Sequence, residues 1–165
     1  SATRRLQRVM DTYDLIRLGR NLRSELNIVP SARVRVALKP AGEDMAQFLN
    51  GERATLQKFL GAAEIIIDPA FAPPQPLPSH AGRSANIYLF LDGTLDPRAE
   101  SARIAKQLAE LDKYLAGVRA KLGNEKFIQH AAPEVIEQER AKCADAEARR
   151  ARLEQMQTFL ASAGG

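Results

Sequence analysis

The chain has 165 residues, 27% of them charged, a net charge of +4 and no tryptophan. That length holds one ordinary domain, and so few aromatics suit a small core with exposed helices better than one thick globule. The single Cys143 excludes an intramolecular disulfide, which points to a reducing, cytoplasmic location, and no apolar run approaches the ~18 residues of a membrane span or the pattern of a signal peptide.

Residues 3–26 predict one amphipathic helix. Leu6, Val9, Tyr13 and Ile16 follow helical spacing, and Leu22 and Leu26 continue the face. Arg17, Arg20 and Arg23 recur every three residues near one side, where they are candidates for contacting a polyanion. Asn27 and Pro30 end the helix. The chain starts at Ser1-Ala2, without Met and straight into this helical pattern, and so reads as an excerpt of something larger.

Residues 31–97 predict a small α+β unit. Arg33 to Leu38 alternates polar and apolar residues, as a half-buried strand does. Met45 to Leu60 reads as one helix closed by Gly61, with Phe48, Leu49, Leu56, Phe59 and Leu60 toward the sheet. Ala63 to Ile67 is a short β-branched strand stopped by Asp68-Pro69. Ala72 to Pro78, with four prolines, is a rigid connector. Ala85 to Leu91 is the third strand, ending at Asp92-Gly93. The first two strands, joined through a helix, should run parallel, and the third antiparallel.

Residues 98–165 predict two long helices. In the first, Ile104, Leu108, Leu111, Leu115, Val118 and Leu122 are spaced four, three, four, three, four, a heptad seam. Gly123-Asn124 breaks it, a connector follows, and a second helix runs from Pro133 to about Leu160. A short connector between long helices makes an antiparallel hairpin. In the second helix Ala132, Glu139, Ala146, Leu153 and Leu160 repeat every seven residues. Their seam partners are either Ile136 and Cys143, which brings Arg150 to the seam, or Val135 and Met156, which brings Lys142 and Arg149 there.

No catalytic constellation emerges. His80 and His130 fall in predicted loops without metal-ligand spacing, Cys143 reads as a small core residue, and no Gly-rich loop has phosphate-binding form. Binding chemistry remains. Residues 1–30 carry six basic against three acidic residues, 31–97 six against seven, and 98–165 twelve against ten, so both ends are positive. Arg103, Lys106 and Lys113 take outer heptad positions of the first long helix. Lys142, Arg149 and Arg152 share a face of the second. Arg119, Lys121 and Lys126 gather near the hairpin tip beside Phe127. Basic side chains with an aromatic ring suit RNA; pairing with Glu110, Asp145, Glu147 and Glu154 would make the same residues a solvated surface.

A resemblance narrows this. Lys121-Leu122, Asn124-Glu125-Lys126-Phe127-Ile128, Ala132-Pro133-Glu134-Val135-Ile136 and Glu139-Arg140 are similar to the C-terminal arm of valyl-tRNA synthetases, as is the approach Leu91-Asp92-Gly93, Leu95-Asp96 and Glu100-Ser101-Ala102-Arg103. Gly123 departs from the Ser usual in that motif. The string Arg20 to Ser31 looks like the close of the anticodon-binding bundle in class I synthetases for branched aliphatic amino acids. The resemblance implies three segments: 1–30, the last helix of that bundle; 31–97, a three-stranded sheet with one helix; and 98–165, a coiled-coil hairpin that binds tRNA. It implies a monomeric fragment that is not catalytic alone, working with upstream domains of an enzyme that ligates valine to its tRNA using ATP and Mg²⁺. The competing reading is a pure interaction hairpin, either a dimerisation rod or a ribosome-binding arm of a translation ATPase.

Overall fold

α1 (Ala2–Glu25) opens this computed structural model, which describes residues 1–92 and 96–163 and divides into two compact units, Ser1–Leu95 and Asp96–Gly165. Ser1 caps the helix, its hydroxyl accepting from the Arg4 amide. The C-terminus turns off where the composition indicates. Asn27 takes φ 55, its amide donates to the Ser24 carbonyl, and the Ile28 amide donates to that of Arg23. This paired arrangement closes a helix when a residue after the cap tolerates the left-handed region, as Asn does.

The rest of the first unit is β1 (Val34–Pro40), α2 (Glu43–Gly51), α3 (Arg53–Leu60), β2 (Ala62–Ile67), β3 (Ser79–Ala81) and β4 (Ala85–Leu89). The sheet order is β2-β1-β4-β3. β1 and β2 pair in parallel, with Val36 opposite Ile65, and β4 runs antiparallel to β1, with Leu38 opposite Ile87. Both directions agree with the sequence reading. The strand count does not: four strands form where three were expected. β3 is three residues long, follows Pro78 directly and carries no β-branched side chain, so periodicity gave it no signal. It exists because Gly82 turns the chain back, its amide donating to the Ala85 carbonyl, and lays His80 opposite Ile87.

The single helix expected over 45–60 is two. Gly51 ends α2, and the Glu52 amide is shared between the Phe48 and Leu49 carbonyls before α3 begins. Leu49, Leu56 and Leu60 reach the core as expected, whereas Phe48 is half-buried under the Arg8 guanidinium and Phe59 is exposed. The kink between α2 and α3 resets the helical phase, so the two phenylalanines no longer share the leucines' face. Gly61 closes α3 at φ 61.

The core lies between one sheet face (Val34, Val36, Leu38, Ile87) and Leu15, Leu18 and Leu22 of α1 with the leucines of α2 and α3. Gly19 permits the close approach. A Cβ there would stand 2.3 Å from a Leu60 methyl and 3.1 Å from one of Ile87. Residues 1–30 thus share a core with the sheet. Apart from Asp11, the buried residues of α1 lie in its C-terminal half; Leu6, Val9 and Tyr13 remain exposed. The Pro-rich segment does more than connect, since Leu77 packs with Ala37 and Phe90 on the second sheet face. Phe71 adds its ring 5.1 Å from Tyr88 and edge-on to Phe90. The Gly93 turn and the Leu95 position fall outside the described residues.

The second unit contains α4 (Pro97–Leu122), the short α5 (Glu125–His130) and α6 (Pro133–Ala163). Asp96 caps α4, accepting from the Arg98 and Ala99 amides, with Pro97 in the first turn. Asn124 caps α5 in the same way. α5 is the connector of the sequence reading, itself helical. α4 and α6 pack along their length, burying Ile104, Leu108, Leu115 and Val118 against Ala146, Leu153, Met156 and Leu160. Ion pairs at 112/150, 119/147 and 121/139 run in opposite senses along the two helices, so the helices are antiparallel. Among the described residues no helix is long and apolar enough to cross a membrane.

Candidate nucleic-acid interface

The α6 register follows from burial. Glu139, Ala146, Leu153 and Leu160 are buried, and Ile136, Cys143 and Arg150 are half-buried, whereas Val135, Lys142 and Arg149 are exposed. This is the alternative with Ile136, Cys143 and Arg150 at the seam, except that Met156 is also buried near the C-terminal end. Arg150 tolerates the position because its guanidinium reaches out to Asp112, at 2.5 Å, and to Glu154.

The seam separates two flanks of different electrostatics. At 100° per residue, Asp112 and Arg119 lie on one side of the α4 seam and Tyr114 and Lys121 on the other. The first flank is neutralised. Arg119 binds Glu147 at 2.9 Å, and Arg150 binds Asp112 and Glu154. The Arg150 hydrogen bond lowers the Asp112 carboxyl below its usual range, and that from Arg119 lowers Glu147. The Cys143 thiol donates to Glu147 at 3.4 Å, and desolvation, then that carboxylate, pushes its pKa up. A thiol so placed is a poor nucleophile.

The second flank is cationic. Lys113, Lys121 and Lys142 rim a notch of about 340 Å³ whose walls include Tyr114, Gly117 and Val118. Glu139 lies at its base, 8% exposed, with the Lys142 ammonium at 3.5 Å and the Lys121 ammonium at 3.6 Å. Lys121 also stands 5.7 Å from the centre of the half-buried Phe127 ring. Arg149 lies one heptad from Lys142 and shares its flank.

Of the thirteen residues singled out in the sequence, the structure brings Lys113, Lys121 and Lys142 into one site. Lys106, Lys113, Lys126, Arg149 and Arg152 are exposed and make no ion pair or side-chain hydrogen bond among the described residues. Arg103 is tied to Glu100 at 2.7 Å, Arg119 to Glu147, and Arg17 to Asp14 at 2.7 Å. Arg20 is exposed. Arg23 departs from its expected surface. It is buried, and its guanidinium donates to the carbonyls of Ala32 at 2.6 Å, Val29 at 3.0 Å and Gly61 at 3.3 Å. Burial, then the nearby Arg33, lowers its pKa. Its role is to satisfy chain ends that would otherwise be orphaned. Periodicity singled out neither Tyr114, 46% exposed, nor Gly117 nor Glu139 as part of a site. A tyrosine and a glycine three apart on a helix were the available signal.

An α+β unit thus precedes a pair of helices with one neutralised and one cationic flank, and among the described residues no group of three or more His, Cys, Asp and Glu gathers. Residues 96–161 match the family described as the valyl tRNA synthetase tRNA binding arm. Over 136 residues, 82% of this chain, it is 36% identical to a valine–tRNA ligase of Streptococcus pyogenes, and over 129 residues 32% identical to one of Enterococcus faecalis. A third, from Streptococcus mutans, is 33% identical over 132 residues, 80% of this chain. The chain belongs to the valyl-tRNA synthetase family, in its C-terminal region. It spans about 15% of the length of the curated relatives it matches.

Proposed function

We propose that this chain is the tRNA-binding C-terminal part of a valine–tRNA ligase, and that α4 and α6 form a coiled-coil hairpin that supports the elbow of the tRNA for valine by charge and shape. The observation that carries this reading is the contrast between flanks. The acids Asp112, Glu147 and Glu154 are held in ion pairs on one side, while Lys113, Lys142 and Arg149 stand toward solvent on the other. Phosphates meet such cations with release of counterions. The bonds of Lys121 and Lys142 to Glu139 leave both ammonium-bearing side chains more than half exposed, so phosphates can still reach them.

Ligation of valine with ATP and Mg²⁺ belongs to other parts of the enzyme, which are the chain's further partners; the fragment itself is monomeric, and its location cytoplasmic. The residues present do not fit ATP or Mg²⁺. Among the described residues no group of three or more His, Cys, Asp and Glu gathers. α2, the helix that follows β1, starts with Glu43 and Asp44, which occupy the helix end a phosphate would use. The exposed Leu6, Val9 and Tyr13 of α1 support a contact with upstream helices.

The test is binding of the chain to a transcript of the tRNA for valine as salt is raised. Log K should fall with log salt by about 0.7 to 0.9 per phosphate contact. Joint charge reversal at Lys113 and Arg149 should weaken binding and flatten that slope, whereas reversal at Arg33 and Arg35 should do less. Footprinting should protect the D and T loops. An unchanged affinity and slope in the Lys113/Arg149 variant refutes the reading, and a dimer mass by light scattering would favour a self-associating rod.

A further inference from the structure

We propose that the notch beside Tyr114 is a stacking site for one unpaired base of the bound RNA, so that the lysine flank of the α4–α6 pair, and not its ion-paired flank, faces the nucleic acid. This rests on the tRNA-binding reading above and extends it by naming the flank and the ring. Tyr114 is 46% exposed, in the middle of a helix whose other large apolar residues are turned into the seam. One turn further, at the same notch, stands Gly117.

Glycine is the poorest helix former after proline, and here the fold gives no reason for it. The only described glycine with positive φ is Gly61. A Cβ on Gly117 would meet nothing within 4 Å, so no neighbouring element requires the bare backbone. What the missing side chain leaves is open space in a notch of about 340 Å³ that Tyr114 also lines, room for a flat group beside the ring. The rim of Lys113, Lys121 and Lys142 suits the phosphates on either side of such a group. Glu139 is a positioning residue. Buried at the base of the notch, it holds one ammonium from each helix, Lys121 and Lys142, at the rim. A nucleotide lifted out of its stack combines a planar apolar face with flanking negative charge, and aromatic rings beside basic side chains bind it irrespective of its sequence.

The test uses the 165-residue chain and a transcript of the tRNA for valine, with binding followed by fluorescence anisotropy at several salt concentrations. Tyr114→Ala should weaken binding by roughly five- to fiftyfold, the effect of losing one base–aromatic stack. Tyr114→Phe should stay within about twofold of the parent, because the ring face and not the hydroxyl makes the contact. Gly117→Leu should fill the notch and weaken binding to a similar degree, with helix content by circular dichroism equal to or above the parent's. The salt slope should be the same for all three and the parent, since no phosphate contact is removed. Arg140→Ala, off the notch, should bind like the parent. If the parent binds and Tyr114→Ala binds equally well, the stacking site is refuted while the tRNA-binding reading stands. A changed salt slope in Tyr114→Ala also refutes it, because the ring would then be acting through the charges. If the parent itself does not bind, the tRNA-binding reading falls and takes this one with it.

Discussion

The sheet unit and the helix pair use the same kind of residue in opposite ways. In the sheet unit Arg23 points inward and spends its donors on the carbonyls of Val29, Ala32 and Gly61. In the helix pair Lys113 and Arg149 point outward and are unpaired among the described residues. The difference follows from backbone supply. Where α1 ends and the chain turns toward β1, carbonyls are left without amide partners, and a forked cation answers several at once. Inside α4 and α6 every mid-helix carbonyl already has a partner, so a basic side chain has only carboxylates or solvent to meet. A regularly spaced arginine therefore indicates a binding surface only where the backbone around it is satisfied.

The largest expected effect breaks this comparison if it fails. Arg23→Ala should destabilise the sheet unit by about 2–3 kcal/mol in urea unfolding, because it removes charge-assisted hydrogen bonds and leaves buried carbonyls unmet. Arg23→Lys should recover less than half of that, since an ammonium is one compact point and lacks the planar fork whose separate nitrogens reach Gly61 on one side and Val29 and Ala32 on the other. Arg149→Ala should stay within about 0.5 kcal/mol of the parent. Equal small losses for both arginines would erase the distinction.

A second substitution separates stability from binding within the helix pair. Glu139 occupies a seam position that a leucine would fill, so Glu139→Leu should raise unfolding stability by about 1 kcal/mol. The same change frees Lys121 and Lys142 from their shared carboxylate, and tRNA affinity should not rise with stability. A destabilised variant would mean that Glu139 is structural. A smaller effect is expected at Gly117→Ala, where the added methyl meets nothing: about 0.5–1 kcal/mol more stable by thermal unfolding. A loss there would show that the bare backbone is needed for packing.

The smallest effect concerns acid. Asp112 and Glu147 have folded pKa values below their ordinary ones, chiefly through hydrogen bonds from Arg150 and Arg119. A lowered folded pKa stabilises above the unfolded value, about 4 for such groups, and the contribution is lost as pH falls below it toward the folded value. Melting of the helix pair should therefore be insensitive to these two groups from pH 7 to about 5 and decline below about 4. Asp112→Asn should flatten part of that decline. A fall beginning near pH 6 would implicate other groups.

The α4 seam was legible because heptad spacing is a local property, and Ile104, Leu108, Leu115 and Val118 are buried where it placed them. The Asn27 helix end and the Gly61 cap were legible for a similar reason: few residues adopt the left-handed region. β3 was not, because a three-residue strand is made by its neighbour and not by its own pattern. The role of the Pro-rich segment was also hidden. Prolines announce a loop, but Leu77 and Phe71 find the second sheet face only after the sheet exists. For the candidate site, the basic residues of α4 and α6 were visible as charge, while the notch of Tyr114, Gly117 and Glu139 was not.

By itself the sequence determined the elements whose causes lie within a few residues: α4 with its apolar stripe, the two helix stops, the parallel and antiparallel senses of the main strands, and a family likeness carried by a run of residues around the connector. Tertiary structure decided what depends on who meets whom. The register of α6 against α4 chose between two sequence-compatible seams, put Arg150 beside Asp112 and left Lys142 outside. That choice sorted the charges into one neutralised and one cationic flank. Its physical reason is that each heptad offers alternative stripes of similar apolarity, and only packing against the fixed stripe of a partner helix makes one of them lower in free energy.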